Sequence, residues 1–113
     1  MLMLALNSKI TPQSGSISNW KTSNITRLQG NFVKINNLVI ISGAWTGNAT
    51  NLESIFIVPT GFIPSANVQG EGTIHTGSVF SYAEYTLFNI GEFRQAQIPG
   101  NVTGGSFSIC YTV

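Results

Sequence analysis

Arg27-Leu28-Gln29-Gly30-Asn31-Phe32-Val33-Lys34-Ile35, then Asn36-Asn37, then Leu38-Val39-Ile40-Ile41-Ser42-Gly43-Ala44-Trp45: this run decides the fold. It reads as two strands around a two-residue turn. Asn tolerates the left-handed backbone region, so Asn36-Asn37 suits a primed hairpin turn. Gly30 inside the first strand predicts a bulge or a close backbone approach. The second strand is apolar without interruption from Leu38 to Ile41, which predicts burial on both faces. One face would meet the domain core and the other a neighbouring subunit.

Downstream, more strands follow at short intervals. Glu53 to Val58 is a short strand that ends at Pro59-Thr60-Gly61-Phe62-Ile63-Pro64. There two prolines remove backbone donors, and Gly61 suits a type II-like turn. Phe62 is expected to anchor this rigid crossing. Asn67 to Thr76 reads as a strand broken at Gly70-Glu71-Gly72. Val79 to Ile90 is the longest strand pattern. In it Phe80 and Tyr82 share one parity while Tyr85 and Leu87 share the other, so a β-bulge near Ala83-Glu84 is expected. Gly91 turns the chain into Phe93 to Ile98, and Pro99-Gly100-Asn101 turns it again. The last strand alternates cleanly, with Phe107, Ile109, Tyr111 and Val113 on one face.

Upstream, residues 7–24 are polar and turn-rich, a connecting segment or loose outer strand anchored by Ile17 and Trp20. Met1 to Leu6 is too short and lacks the basic flank of a signal sequence, so it reads as an apolar arm. The expected organisation is an arm or linker over 1–18 and one domain over 19–113. That domain is all-β, a single antiparallel β-barrel or sandwich of about 7–8 strands.

Composition narrows the function. Of 113 residues, 42% are hydrophobic and only 8% charged, against roughly 25% charged in a typical domain. There is no Asp, and the net charge is +1. So little charge leaves a surface poorly solvated unless other subunits cover part of it. No basic stripe exists to neutralise phosphates, which argues against nucleic acid, and no apolar run is long enough to span a membrane as a helix. One Cys, Cys110, excludes an intrachain disulfide. With a single His beside it, a zinc site is not expected, and no cofactor is implied.

Catalysis lacks its usual parts. No Ser sits in a nucleophile elbow, and no Asp orients His75. A glycan hydrolase would need two Glu at catalytic spacing; Glu84 and Glu92 flank one hairpin without a shared site. What remains is a binding surface. Aromatic faces beside polar side chains suit neutral ligands such as sugars. Trp45, His75, Tyr82, Glu84 and Arg94 are the candidates. Each has an ordinary alternative: Trp45 as a core residue, His75 as a satisfied loop residue, Arg94 as an ion-pair partner of Glu84 or Glu92.

Four segments together resemble the receptor-binding heads of tailed-bacteriophage fibre or baseplate proteins, those of lactococcal phages in particular. They are Asn19-Trp20, the hairpin quoted above, Val58 to Pro64, and the closing pair Leu87 to Phe93 with Ser106 to Tyr111. The second-last resembles a Leu-Pro-x-Gly-aromatic-x-Pro turn, with Val58 in place of Leu and Ile63 where a basic residue is frequent. The resemblance implies a homotrimer of β-barrel heads at the virion's tail tip. It implies binding to host cell-wall saccharide without cleavage, alongside other tail or baseplate proteins. It also implies that the N-terminal arm is either the end of a neck or a start of its own. The alternative kept open is a structural tail protein whose partner is protein.

Overall fold

The computed structural model describes residues 12–49, 53–95 and 102–113. Eight strands form one antiparallel, curled sheet. In chain order they are β1 (Gln13–Ser16), β2 (Ile25–Ile35), β3 (Leu38–Gly47), β4 (Ser54–Ile57), β5 (Val68–Thr76), β6 (Val79–Leu87), β7 (Glu92–Gln95) and β8 (Gly104–Thr112). Across the sheet the order is β1-β2-β3-β8-β5-β6-β7-β4. The all-β antiparallel architecture expected from the strand spacing is therefore present, as a curled half-barrel sheet. The arm at Met1 to Leu6, the loop at 50–52 and the turn at Pro99-Gly100-Asn101 lie outside the described residues.

The β2–β3 hairpin forms as its sequence dictates, with Ile35 opposite Leu38 and Asn36 at φ 55°. Gly30 sits opposite Gly43, where a side chain on either would overlap the other strand's backbone. It marks a close approach; the one register shift of the hairpin lies between Ile25 and Arg27.

Two expectations about β5 and β6 are corrected. Their pairing runs without a register shift from Val68–Leu87 to Thr76–Val79, so β6 has no bulge and β5 no break. The two parities of β6 are simply its two faces: Ala83, Tyr85 and Leu87 point inward, while Phe80, Tyr82 and Glu84 point outward. The strand stops at Leu87, and Phe88 to Gly91 forms the turn, closed by the Gly91 N–H donating to the Phe88 carbonyl at 2.9 Å. Gly72 belongs to the continuous strand because β8 crosses close beside it. A Cβ there would collide with the Ser106 carbonyl.

The core fills the concave side of the sheet. Its centre is a run of aromatic rings: Phe56 stacks on Phe93 at 4.4 Å, Phe93 on Tyr85 at 5.2 Å, and Phe107 packs against Phe93 at 4.9 Å. Such pairs contribute beyond the area they bury. Ile17, which follows β1, is also fully buried. The chain after it reaches across to the edge strand β4: Lys21 forms an antiparallel bridge with Phe56, and the Thr22 N–H donates to the Ile55 carbonyl at 3.2 Å. This crossing curls the sheet towards closure.

The Pro59 to Pro64 segment takes the expected turn. The Phe62 N–H donates to the Pro59 carbonyl at 3.0 Å, and Gly61 has φ 97°, the positive value a type II turn needs at that position. Phe62 packs edge-on against Trp20 and Phe32 at 5.4 and 4.9 Å. It is half-buried, an anchor at the rim of the core. Lys34 donates to the Gly61 carbonyl at 2.7 Å and lies over the Phe62 ring, while the Tyr111 hydroxyl donates to the Phe62 carbonyl at 2.7 Å.

Candidate functional site

Every strand has an outward parity, and on the convex side these residues line up in rows across the sheet. Arg27, Thr46, Gly104, His75 and Phe80 form one row, strand by strand from β2 to β6. The next is Gln29, Ala44, Ser106, Thr73 and Tyr82. The third is Asn31, Ser42, Ser108, Glu71 and Glu84. The middle of each row is small: Gly, Ala, Ser or Thr. The flanks are large. The convex face is thus a shallow trough with a floor of β3 and β8 and a raised aromatic side on β6.

That raised side holds the most exposed large apolar groups. Phe80 is 71% exposed and Tyr82 65%. They lie two residues apart on one strand, so their side chains stand on the same face. His75 packs under Phe80, ring centroids 5.1 Å apart, and its ring rests on Gly104. Thr73 and Ser106 join through their hydroxyls at 2.7 Å. Glu71 and Glu84 are directly opposite each other. Partial desolvation against the sheet, and then the charges of Glu71 and Glu84, raise the Tyr82 phenol above its ordinary pKa. At the other end of the first row lies a shallow cleft of about 130 Å³. Arg27, Gln29, Thr46 and His75 are among its lining residues.

The structure sorts the five sequence candidates into three groups. His75, Tyr82 and Glu84 come together on the convex face, as just described. Trp45 does not join them. It is on the inward parity, 1% exposed, and its indole N–H donates to the Tyr85 hydroxyl at 3.1 Å. That hydroxyl donates in turn to the Thr73 carbonyl at 2.7 Å. Trp45 therefore ties the core together and offers no ring face to a ligand. This is the core role named as its alternative: β3 continues to Gly47, and Trp45 pairs with Gly105 of β8.

Arg94 is committed elsewhere. On β7 it pairs with Glu92 at 3.0 Å and lies over the Phe88 ring at 4.9 Å. Glu92 also accepts from the Ser54 hydroxyl. These two hydrogen bonds, Ser54 first and Arg94 second, hold its carboxyl below the ordinary range. The pair fastens the β4–β7 edge, and this was one of the alternatives for Arg94.

Phe80, Thr73 and Glu71 were missed as site residues. The signal was present for Phe80: its parity matched Tyr82 and opposed Tyr85. With no bulge in β6, that parity sets Phe80 beside Tyr82 on the outer face. The signal for Glu71 lay in the two-residue Gly77-Ser78 turn, with Gly77 at φ 64°, which pairs Thr76 with Val79 and so sets the register that brings Glu71 opposite Glu84.

Among the described residues, no three His, Cys, Asp or Glu side chains gather into a metal-binding group. The chain matches no known protein family, and no curated protein matches it in sequence.

Proposed function

We propose that this chain is a non-enzymatic adhesion module that binds saccharide on the convex face of β5, β6 and β8. The observation that carries the reading is the exposure of Phe80 and Tyr82 side by side, bordered by His75, Thr73, Glu71 and Glu84. Exposed aromatic faces give the apolar C–H side of a sugar ring a place to stack, and adjacent polar groups orient its hydroxyls. A shallow open trough accepts a chain of sugars end to end, where a deep pocket would accept one terminal unit. The natural setting proposed from the sequence resemblance is a phage tail tip, with host cell-wall saccharide as the receptor.

Self-association belongs to the same reading, with a homotrimer as the expected form. At the far end of the convex face Val33 lies opposite Ile40 and Ile35 opposite Leu38, with Leu38 and Ile40 substantially exposed. Repeated copies would cover this aliphatic strip and raise a weak sugar affinity by avidity. The strip also favours the second reading, a structural component that docks on another tail protein.

A glycan array probed with the folded protein, followed by binding to bacterial envelopes, tests the first reading. Binding that Tyr82→Ala abolishes supports it; a folded protein that binds no glycan overturns it. Mass in solution tests the assembly, and a monomer at high concentration would count against it.

A further inference from the structure

We infer that the convex face selects saccharides carrying a positive charge, specifically amino sugars with a free ammonium group. This rests on the saccharide-binding reading and names its ligand class.

Glu71 and Glu84 face each other directly across β5 and β6. Like charges in directly opposed positions work against strand pairing. Among the described residues neither carboxylate has a cationic partner: the ion pair there is Arg94 with Glu92. Opposed side chains in an antiparallel pair start roughly 4.5–5.5 Å apart, so one ammonium fits between both carboxylates. The carboxylates thus present an unanswered negative charge, and a cation is the complement that removes their repulsion.

The neighbouring aromatics point to the same chemistry. Tyr82 is two residues from Glu84 on the same face, and Thr73 opposite it is two residues from Glu71. Both carboxylate charges are felt at its phenol. Phe80 continues the line. An ammonium held at Glu71 and Glu84 therefore lies beside an aromatic ring, whose face attracts cations. The sugar ring that bears it would extend over Tyr82 and Phe80. The competing cation of this face, Arg27, lies in the Phe80 row at the opposite flank, across β3, β8 and β5, beside Gln29. The face is therefore negative on one flank and positive on the other. N-acetylation of the sugar would remove the charge and leave the carboxylate pair unanswered.

The test titrates the folded protein with a short chitosan oligosaccharide, its fully N-acetylated counterpart, and an oligolysine of matching charge, at low and high salt. The deacetylated sugar is expected to bind about tenfold more tightly than the acetylated one at low salt, an advantage that salt reduces. In the double variant Glu71→Gln/Glu84→Gln the advantage should vanish while binding of the acetylated sugar persists. That variant relieves repulsion, and thermal unfolding checks that it folds. Equal binding of the two sugars overturns this inference and leaves saccharide binding standing. If neither sugar binds and the glycan array is also blank, the underlying reading fails. Oligolysine binding more tightly than chitosan assigns the face to a basic peptide and overturns the inference. A charge preference that survives the double variant overturns it too.

Discussion

Tyr82 and Tyr85 stand three residues apart on β6 and meet opposite fates. Tyr85 is fully buried; it accepts from Trp45, donates to the Thr73 carbonyl and stacks on Phe93. Tyr82 is largely exposed and borders the Glu71 and Glu84 carboxylates. Three is an odd number of steps, so a strand must send the two side chains to opposite faces. One face carries the aromatic stack that holds the sheet curled. The other carries Phe80 and Tyr82, largely exposed, with Phe80 resting on the His75 ring. The difference teaches that in this protein aromatic residues serve two purposes, and that parity on the strand separates them.

The contrast implies that inner-face substitutions cost stability and outer-face ones cost binding. The severest test is Phe93→Ala, which removes the ring touching Phe56, Tyr85 and Phe107. A loss of about 3–5 kcal/mol is expected in chemical denaturation; a small loss would show that the stack is not the core's centre. Phe62→Ala should cost less, about 2 kcal/mol, because its ring is only half-buried and loses part of that cavity term. A loss as large as that of Phe93 would place the turn inside the core.

Tyr85→Phe keeps the ring and removes the hydroxyl. Expected is a loss of about 1–2 kcal/mol, since the Trp45 N–H and Thr73 carbonyl lose their partner. The same group sets a pH dependence. Burial pushes the Tyr85 phenol up from 10.0 to about 12, against a smaller lowering by the Trp45 hydrogen bond. The unfolded phenol ionises near 10 while the folded one stays neutral. The resulting stabilisation is complete below pH 10 and is lost as pH climbs to 12. Burial also raises the Tyr111 phenol, which acts in the same direction. Denaturation curves between pH 9 and about 12 should fall less steeply for Tyr85→Phe than for the parent. Identical slopes would contradict the burial argument.

Tyr82→Ala is the smallest change in stability, within about 0.5 kcal/mol, as expected for an exposed site. It should nonetheless remove most saccharide binding. A variant that unfolds would erase the contrast between the faces; one that folds and binds normally would move the site away from β6.

Much of this was legible in the chain. The Asn36-Asn37 hairpin, the Gly61 turn and the alternation of β8 are local, and local backbone preference specifies them. The site was legible only in part. His75, Tyr82 and Glu84 were named without knowing that they share a face with one another and with Phe80. Trp45 and Arg94 take the ordinary alternatives named for them: Trp45 joins the core through Tyr85, forty residues away on β6, which spacing does not bring near, whereas Arg94 pairs with Glu92 two residues away on its own strand.

By itself, then, the sequence determined that this protein is built of short antiparallel strands with two distinguishable faces, because strand alternation and turn chemistry act over a few residues. Only the tertiary structure decided which parity on each strand turns inward. It also decided that β8 inserts between β3 and β5. Those outcomes depend on pairings between residues far apart in the chain, where the side chain opposite, and not the neighbour in sequence, sets the environment.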